Sequence, residues 1–277
     1  DALIPDGLHI VGQPMTAAAR AGFLDLLPEA QRPETDRLLQ QDSELPALMR
    51  ALEGRYTPPV PGGDLLRSPD ILPTGRNIHA FDPFRMPSEF ACRAGARQAQ
   101  LLLDTHKTLP RSVALVLWGS DNIKSDGCAI AQALALIGAK PRFDNFGRLS
   151  GADLVPLKDL GRPRIDVIMT LSGIFRDLLP LQTRLLADAA LQAAHADEPL
   201  HMNHIRANAL AHAEAIGCDL DTAALRVFSN AEGAYGSNVN QMVDASVFGE
   251  EDELADAYQA RKSFAYGVGG KPVQQAD

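Results

Sequence analysis

Gly161–Asp177 reads GRPRIDVIMTLSGIFRD, and the fold turns on it. Ile165, Val167, Ile168, Met169 and Leu171 make a nearly unbroken apolar run of strand length, opened by Pro163 and closed by Ser172-Gly173. Such a run predicts a central strand buried on both faces, with Val167 and Ile168 pointing to opposite sides. Leu178, Leu181, Leu185 and Ala189 then recur at helical spacing, so the strand turns over Ser-Gly directly into a helix. In an open α/β sheet that turn is where ligands bind.

Upstream, Ser112–Trp118 (SVALVLW) predicts a second buried strand, followed by the polar run GSDNIKSDG and a helix from about Gly127, with Ile130, Leu134 and Ile137 inward and Gly138 closing it. Ser88 caps a helix running to about His106, with Phe90, Ala94 and Leu101 on one face. Residues 140–144 and 153–157 are short strand candidates. Downstream lie a helix from Asn203 to Ile216 closed by Gly217, a strand at Arg226–Ser229, the loop NAEGAYGSNVN, and helices at Ser237–Ala245 and Glu251–Lys262. Strands alternating with helices specify a three-layer α/β fold, a mostly parallel sheet with helices on both faces, because parallel neighbours need crossover connections.

That α/β domain is expected over residues 88–277. Residues 1–87 read as a helical arm, with helical spacing at Thr16–Leu27 and Thr35–Leu52, followed from Gly54 to Pro87 by a Pro/Gly-rich loop. Tyr56, Ile71, Leu72, Ile78, Phe81 and Phe84 argue that the loop is pinned and lines something.

Composition sets limits. The 277 residues carry a net charge of −9 and no basic block, which disfavours nucleic acid and anionic membrane surfaces as partners. No apolar run reaches the roughly 20 residues of a membrane helix, the first residues of the sequence carry no basic n-region with an apolar h-region, and Cys92, Cys128 and Cys218 fit neither a metal knuckle nor a disulfide framework, so a cytoplasmic setting is expected. A start at Asp1 and an end after KPVQQAD read as a piece of something longer. Gly267-Val-Gly-Gly-Lys271-Pro lacks P-loop spacing and the Ser or Thr that binds magnesium, and GxGxxG, HExxH, GxSxG and EF-hand patterns are missing, so ATP hydrolysis is not expected on this chain.

Polar clusters at strand ends are the candidates for chemistry: Asp121, Asn122 and Lys124; Ser172, Arg176 and Asp177; and Glu198, His201, Asn203, His204 and Arg206, all expected to converge on one crevice. The plainer reading of Asp121, Asp126 and Asp177 is as caps or turn formers. His201 and His204 share a helix face at metal-ligand spacing, but no third ligand falls in register, and a helix-terminus role is the plainer one. Glu198 stands out because Pro199 holds it in an extended turn, where a fixed carboxylate near an apolar wall could accept a proton. In the NAEGAYGSNVN loop, Asn230, Tyr235, Asn238 and Asn240 offer oriented neutral hydrogen bonds, or else form an ordinary Asn/Gly turn.

At these residues the sequence resembles a known family. LWGSDNIKSDG, IAQALALIGAKPRFD, GRPRIDVIMTLSGIFRDLLP, ADEPLHMNHIRANAL, RVFSNAEGAYGSNVNQ, RKSFAYG and the loop PPVPGGDLLRSPDILPTGRNIHAFDP look, in order, like the large porphyrin-binding H subunits of magnesium chelatase, which share ancestry with the large subunit of cobaltochelatase. Asp121-Asn122-Ile123-Lys124 resembles the magnesium branch. The likeness covers about residues 45–267 and corresponds to only a C-terminal-half segment of such a subunit.

The resemblance implies insertion of Mg²⁺ into protoporphyrin IX on the way to (bacterio)chlorophyll, with ATP hydrolysed on separate AAA+ and integrin-domain partner subunits. Two pyrrole protons must leave and Mg²⁺ must shed water to oxygen ligands, which calls for a base and a metal relay. Glu198 is the first choice for both, with His201 and Asp177 behind it, while Arg176, Arg206, Lys124 and Arg76 are candidates to pair with the propionates. Cobalt insertion into a corrin-type ring, a non-catalytic tetrapyrrole-binding module and a purely structural fragment stay open as alternatives.

Overall fold

In the computed structural model, residues 10–61, 71–79, 82–270 and 272–274 are described. The chain divides into two compact units, Asp1–Phe81 and Asp82–Asp277. Part of the Pro/Gly-rich loop expected to be pinned, including Phe81, lies outside the described residues.

The first unit, which holds the helices expected of the arm, is itself compact. Thr16 caps α1 (Ala17–Asp25), accepting from the Ala19 amide. In place of the one long helix expected over Thr35–Leu52 there are two, α2 (Arg32–Leu39) and α3 (Glu44–Leu52), because Asp42 turns its carboxylate onto the amides of Glu44 and Leu45 and restarts the chain. Arg20 on α1 pairs with Asp36 on α2 at 2.6 Å. Helix α3 buries Ala47 and leaves Leu45, Leu48, Met49 and Leu52 exposed. A short parallel pair, β1 (Pro59–Pro61) and β2 (Asn77–His79), completes the unit.

The second unit opens with Pro83 and Met86, whose carbonyls accept at 2.5 and 3.0 Å from the buried amide of Gln182. Ser88 then caps α4 (Glu89–Asp104). Its inward face differs from the expectation. Phe90 and Leu101 are 51% and 60% exposed, while Ala91, Gly95, Ala99 and Leu103 are buried. Small residues are needed there because α4 crosses its neighbour backbone to backbone: a Cβ on Gly95 would lie 2.6 Å from the Gln132 amide. After α4 come β3 (Ser112–Leu117), α5 (Gly119–Lys124) and that neighbour, α6 (Cys128–Ile137), which ends at Gly138 in the left-handed region (φ +80°).

The strand candidates at 140–144 and 153–157 form an antiparallel hairpin of their own, β4 (Ala139–Phe143) with β5 (Leu149–Leu154), rather than rungs of the main sheet. Asp144 makes the difference, taking the amides of Phe146 and Arg148 and turning the chain straight back. Helix α7 (Leu157–Leu160) then leads to β6 (Asp166–Leu171). The helix expected beyond β6 is broken into α8 (Gly173–Leu178) and α9 (Pro180–His195): Leu179 sits at φ −123°, ψ 49°, because a residue before proline avoids the helical region. Next follow α10 (His204–Ile216), α11 (Leu220–Ala223), β7 (Val227–Ser229), α12 (Val239–Ala245), α13 (Glu251–Lys262), β8 (Phe264–Tyr266) and β9 (Pro272–Gln274).

The main sheet runs β3-β6-β7-β8-β9, with β3, β6 and β7 parallel and β8 and β9 antiparallel beyond them. The α/β reading, a mostly parallel sheet flanked by helices, holds, with β8 and β9 adding an antiparallel extension beyond the parallel strands. On one face Val167, Met169 and Leu171 are fully buried, with α6 packed against β6 and α9 against β7 and β8. The other face is only partly covered. Asn208 of α10 reaches Asp166, and Tyr258 of α13 reaches Thr170, but Ile168 is half-buried and Val116 is 59% exposed. This corrects the expectation that both strands are buried on both sides. The exposure at β3 follows from its place at the sheet edge, with Ala114 and Val116 on the open face and Leu117 on the closed one. Among the described residues no helix is long and apolar enough to cross a membrane.

Candidate functional site

The carboxyl end of β6 is where side chains from distant loops meet. The Leu171 carbonyl accepts from Ser229 Oγ at the end of β7 and from Lys262 Nζ at the end of α13, both at 3.0 Å. Ser172 caps α8 through the Phe175 amide and also accepts from the Gly119 amide, tying the end of β6 to the start of α5. Two glycines permit that closeness. A Cβ on Gly119 would lie 2.7 Å from Ile174, and one on Gly173 would run into the Tyr235 ring.

Arg176 is the hub. Its side chain is 4% exposed, and its guanidinium donates to Asp177 and to the carbonyls of Asn230, Ala231 and Ala234. The 230–236 loop is thus wrapped around one cation. Tyr235 completes the wrap: its ring lies 5.4 Å from that cation, and its hydroxyl donates to the other oxygen of Asp177. Asn230 donates to the Gly236 carbonyl, and the Asn230 carbonyl accepts from the Tyr266 hydroxyl at 2.7 Å. Two buried atoms here, Arg176 Nη2 and Asn230 Oδ1, have no partner among the described residues.

The electrostatics follow from this wiring. The hydrogen bond from Arg176 holds Asp177 below the usual carboxylate value of 3.8 against a smaller effect of burial, with Tyr235 helping. Burial opposes the charge on Arg176, but Asp177 outweighs it and keeps the guanidinium firmly protonated. Asp177 pushes the Tyr235 hydroxyl upward, so the tyrosine keeps its proton. Lys262 moves the other way, lowered first by burial and then by Arg176. The rim is apolar and open, with Trp118 56%, Ile174 51%, Leu178 47% and Tyr235 56% exposed.

Of the residues singled out from sequence, Arg176, Asp177, Asn230 and Tyr235 meet at this edge. Asn238 stands beside it in the left-handed region and accepts from Arg261 of α13 at 3.1 Å. Asp121, Lys124 and Asn240 are exposed. Asn122, expected to face a ligand, is fully buried: its amide spans the Trp118 carbonyl and the Ile130 amide, fixing the α5–α6 turn. Arg76 belongs to the first unit, where it folds back on the carbonyls of Leu72 and Pro73.

Glu198, His201, Asn203 and Arg206 do not join this crevice. They gather at the amino end of β6, and six residues at roughly 3.3 Å each place that end about 20 Å from the other. Arg164, 1% exposed, donates Nε and Nη2 to the two oxygens of Glu198 at 2.7 Å, and also satisfies the carbonyls of Gly138 and Val155. Asn203 caps α10, and its amide donates to Glu198 and to the Ala193 carbonyl. Arg206 donates to the Ala194 carbonyl. His201 is exposed, and among the described residues no group of three or more His, Cys, Asp or Glu could hold a metal ion. A second buried pair, Asp166 with Arg226 at 2.7 Å, reinforces the same end. Lys262 and Tyr266 are the site residues that sequence reasoning missed; RKSFAYG, part of the family likeness, was the signal that contained both.

A family model for CobN/magnesium chelatase matches residues 26–277. The chain belongs to the CobN/magnesium chelatase family. Within that family it is 69% identical over its whole length to the magnesium-chelatase H protein of Rhodobacter capsulatus and 68% identical over 99% of its length to that of Cereibacter sphaeroides. It spans 23% of each of those proteins. Among solved structures, the catalytic subunit of cobaltochelatase from Mycobacterium tuberculosis superposes with a TM-score of 0.81 at 36% identity, over 88% of this chain and 21% of that one.

Proposed function

We propose that this chain is a segment of the porphyrin-binding subunit of a cytoplasmic magnesium chelatase, which inserts Mg²⁺ into protoporphyrin IX in (bacterio)chlorophyll synthesis. ATP is hydrolysed on separate AAA+ and integrin-domain subunits. The observation that carries this reading is the carboxyl end of β6, where exposed Trp118, Ile174, Leu178 and Tyr235 stand beside two cations in a chain of net charge −9. A flat apolar ring with acidic arms suits such an edge. Identity to magnesium-chelatase H proteins well above that to the cobaltochelatase structure favours magnesium over cobalt.

Within this reading the roles expected from sequence are redistributed. Glu198 neutralises a buried arginine, so we assign it to the fold rather than to proton removal. Asp177, held ionised by Arg176 and 38% exposed in its side chain, is a weak base but a hard oxygen donor, suited to receiving Mg²⁺ as it sheds water. Tyr235 keeps that carboxylate oriented.

Trp118, the only tryptophan in the chain, supplies the assay. Titration with a free-base porphyrin should quench its emission in a saturable way, and Tyr235→Ala should weaken the titration. Unchanged emission together with an unshifted porphyrin absorption band would sink the reading.

A further inference from the structure

Lys262 is the last residue of α13, half-buried, and among the described residues its Nζ donates only to the Leu171 carbonyl, at 3.0 Å. No carboxylate of those residues lies within ion-pair distance of it, whereas the neighbouring cation, Arg176, is already held by Asp177. One turn earlier on the same helix face, Tyr258 reaches Thr170, so α13 lies along the last two residues of β6 and delivers the ammonium to the strand's end. An ammonium taken partly out of water beside another cation, with a single carbonyl for company, lacks a counter-ion. Burial and Arg176 both push its pKa down, as such a deficit requires. The open apolar rim of Trp118, Ile174 and Tyr235 adjoins the same strand end.

We propose that Lys262 is the docking point for a carboxylate of the bound tetrapyrrole, supplying the charge-assisted contact that orients the ring on the rim. This rests on the porphyrin reading above. Arg176 contributes its field rather than a direct contact, since its guanidinium is sealed by the 230–236 loop. A ring bearing free acid side chains is therefore preferred to the same ring with those acids esterified.

The test compares deuteroporphyrin with its dimethyl ester, both in the same detergent, by quenching of Trp118 in the 277-residue chain. The wild-type chain is expected to bind the diacid about tenfold more tightly, the size of one hydrogen bond to a charged group. Lys262→Gln should bring the diacid down to the affinity of the ester, and Lys262→Arg should keep most of the preference. Equal binding of acid and ester by the wild-type chain overturns the role of Lys262 and leaves the porphyrin reading standing; binding of neither overturns both. A Lys262→Gln chain that retains the full preference also overturns the proposal. Should that variant fail to fold, the acid-to-ester ratio of the wild-type chain decides alone.

Discussion

Glu198 and Arg164 meet fork to fork, with Nε and Nη2 each 2.7 Å from a carboxylate oxygen and the arginine side chain 1% exposed. Removing one partner of a buried pair strands the other, at about 3–5 kcal/mol out of a total stability of roughly 5–15. Glu198→Ala should therefore unfold at much lower urea, and Glu198→Gln should lose on the order of 2 kcal/mol because an amide can accept from only one side of the guanidinium. Urea titration of the purified chain measures both. A Glu198→Gln chain as stable as its parent would return this carboxylate to the candidates for proton removal.

The same substitution should act with opposite sign at two glycines. Gly22, inside α1, has nothing within 4 Å of the position a Cβ would take, so Gly22→Ala should stabilise by about 0.5–1 kcal/mol through helix propensity. Gly95 would place that carbon 2.7 Å from Ala131 Cβ and from the Cys128 carbonyl, driving α4 off α6 at a cost of about 1–3 kcal/mol. Thermal unfolding of the two variants distinguishes them, and a stabilised Gly95→Ala would mean that α4 and α6 are not in backbone contact.

Acid should weaken the fold in two separate steps. His204 has a buried Nδ1 without a partner among the described residues, and burial, then Arg111, lower its pKa below 6.5 while Asp166 opposes them. The unfolded chain therefore binds that proton first, and stability falls as the pH drops from 6.5 to the lower folded value. Asp177, also lowered, contributes stability that is present above 3.8 and lost as the pH falls further. Denaturant midpoints measured across both ranges should show the two steps, and His204→Gln should abolish only the first. A midpoint that stays flat between neutrality and the carboxylate range would contradict the assigned environment of His204.

What could be read in the sequence was what is written locally. The apolar run of β6, Ser88 as a cap, and Gly138 and Gly217 as helix ends each depend on neighbours a few residues away. The inward face of α4 escapes such a reading because hydrophobicity points to Phe90 and Leu101, whereas closely crossing helices select for absence of bulk, as at Ala91, Gly95 and Ala99. At the site, Arg176, Asp177, Asn230 and Tyr235 could be named as polar groups at strand ends. Their division from Glu198 could not, because the partner that defines Glu198 sits 34 positions away, and Lys262 meets Leu171 across 91. Pairings at such separations leave no local pattern.

Because β6 keeps its buried ion pairs at one end and its exposed rim at the other, the unit is open to transplantation. The segment 230–236 hangs on Arg176 through three backbone carbonyls, which any sequence supplies, while Arg164, Glu198, Asp166 and Arg226 stay out of reach at the far end. That segment could therefore change in sequence while the scaffold beneath it stays the same.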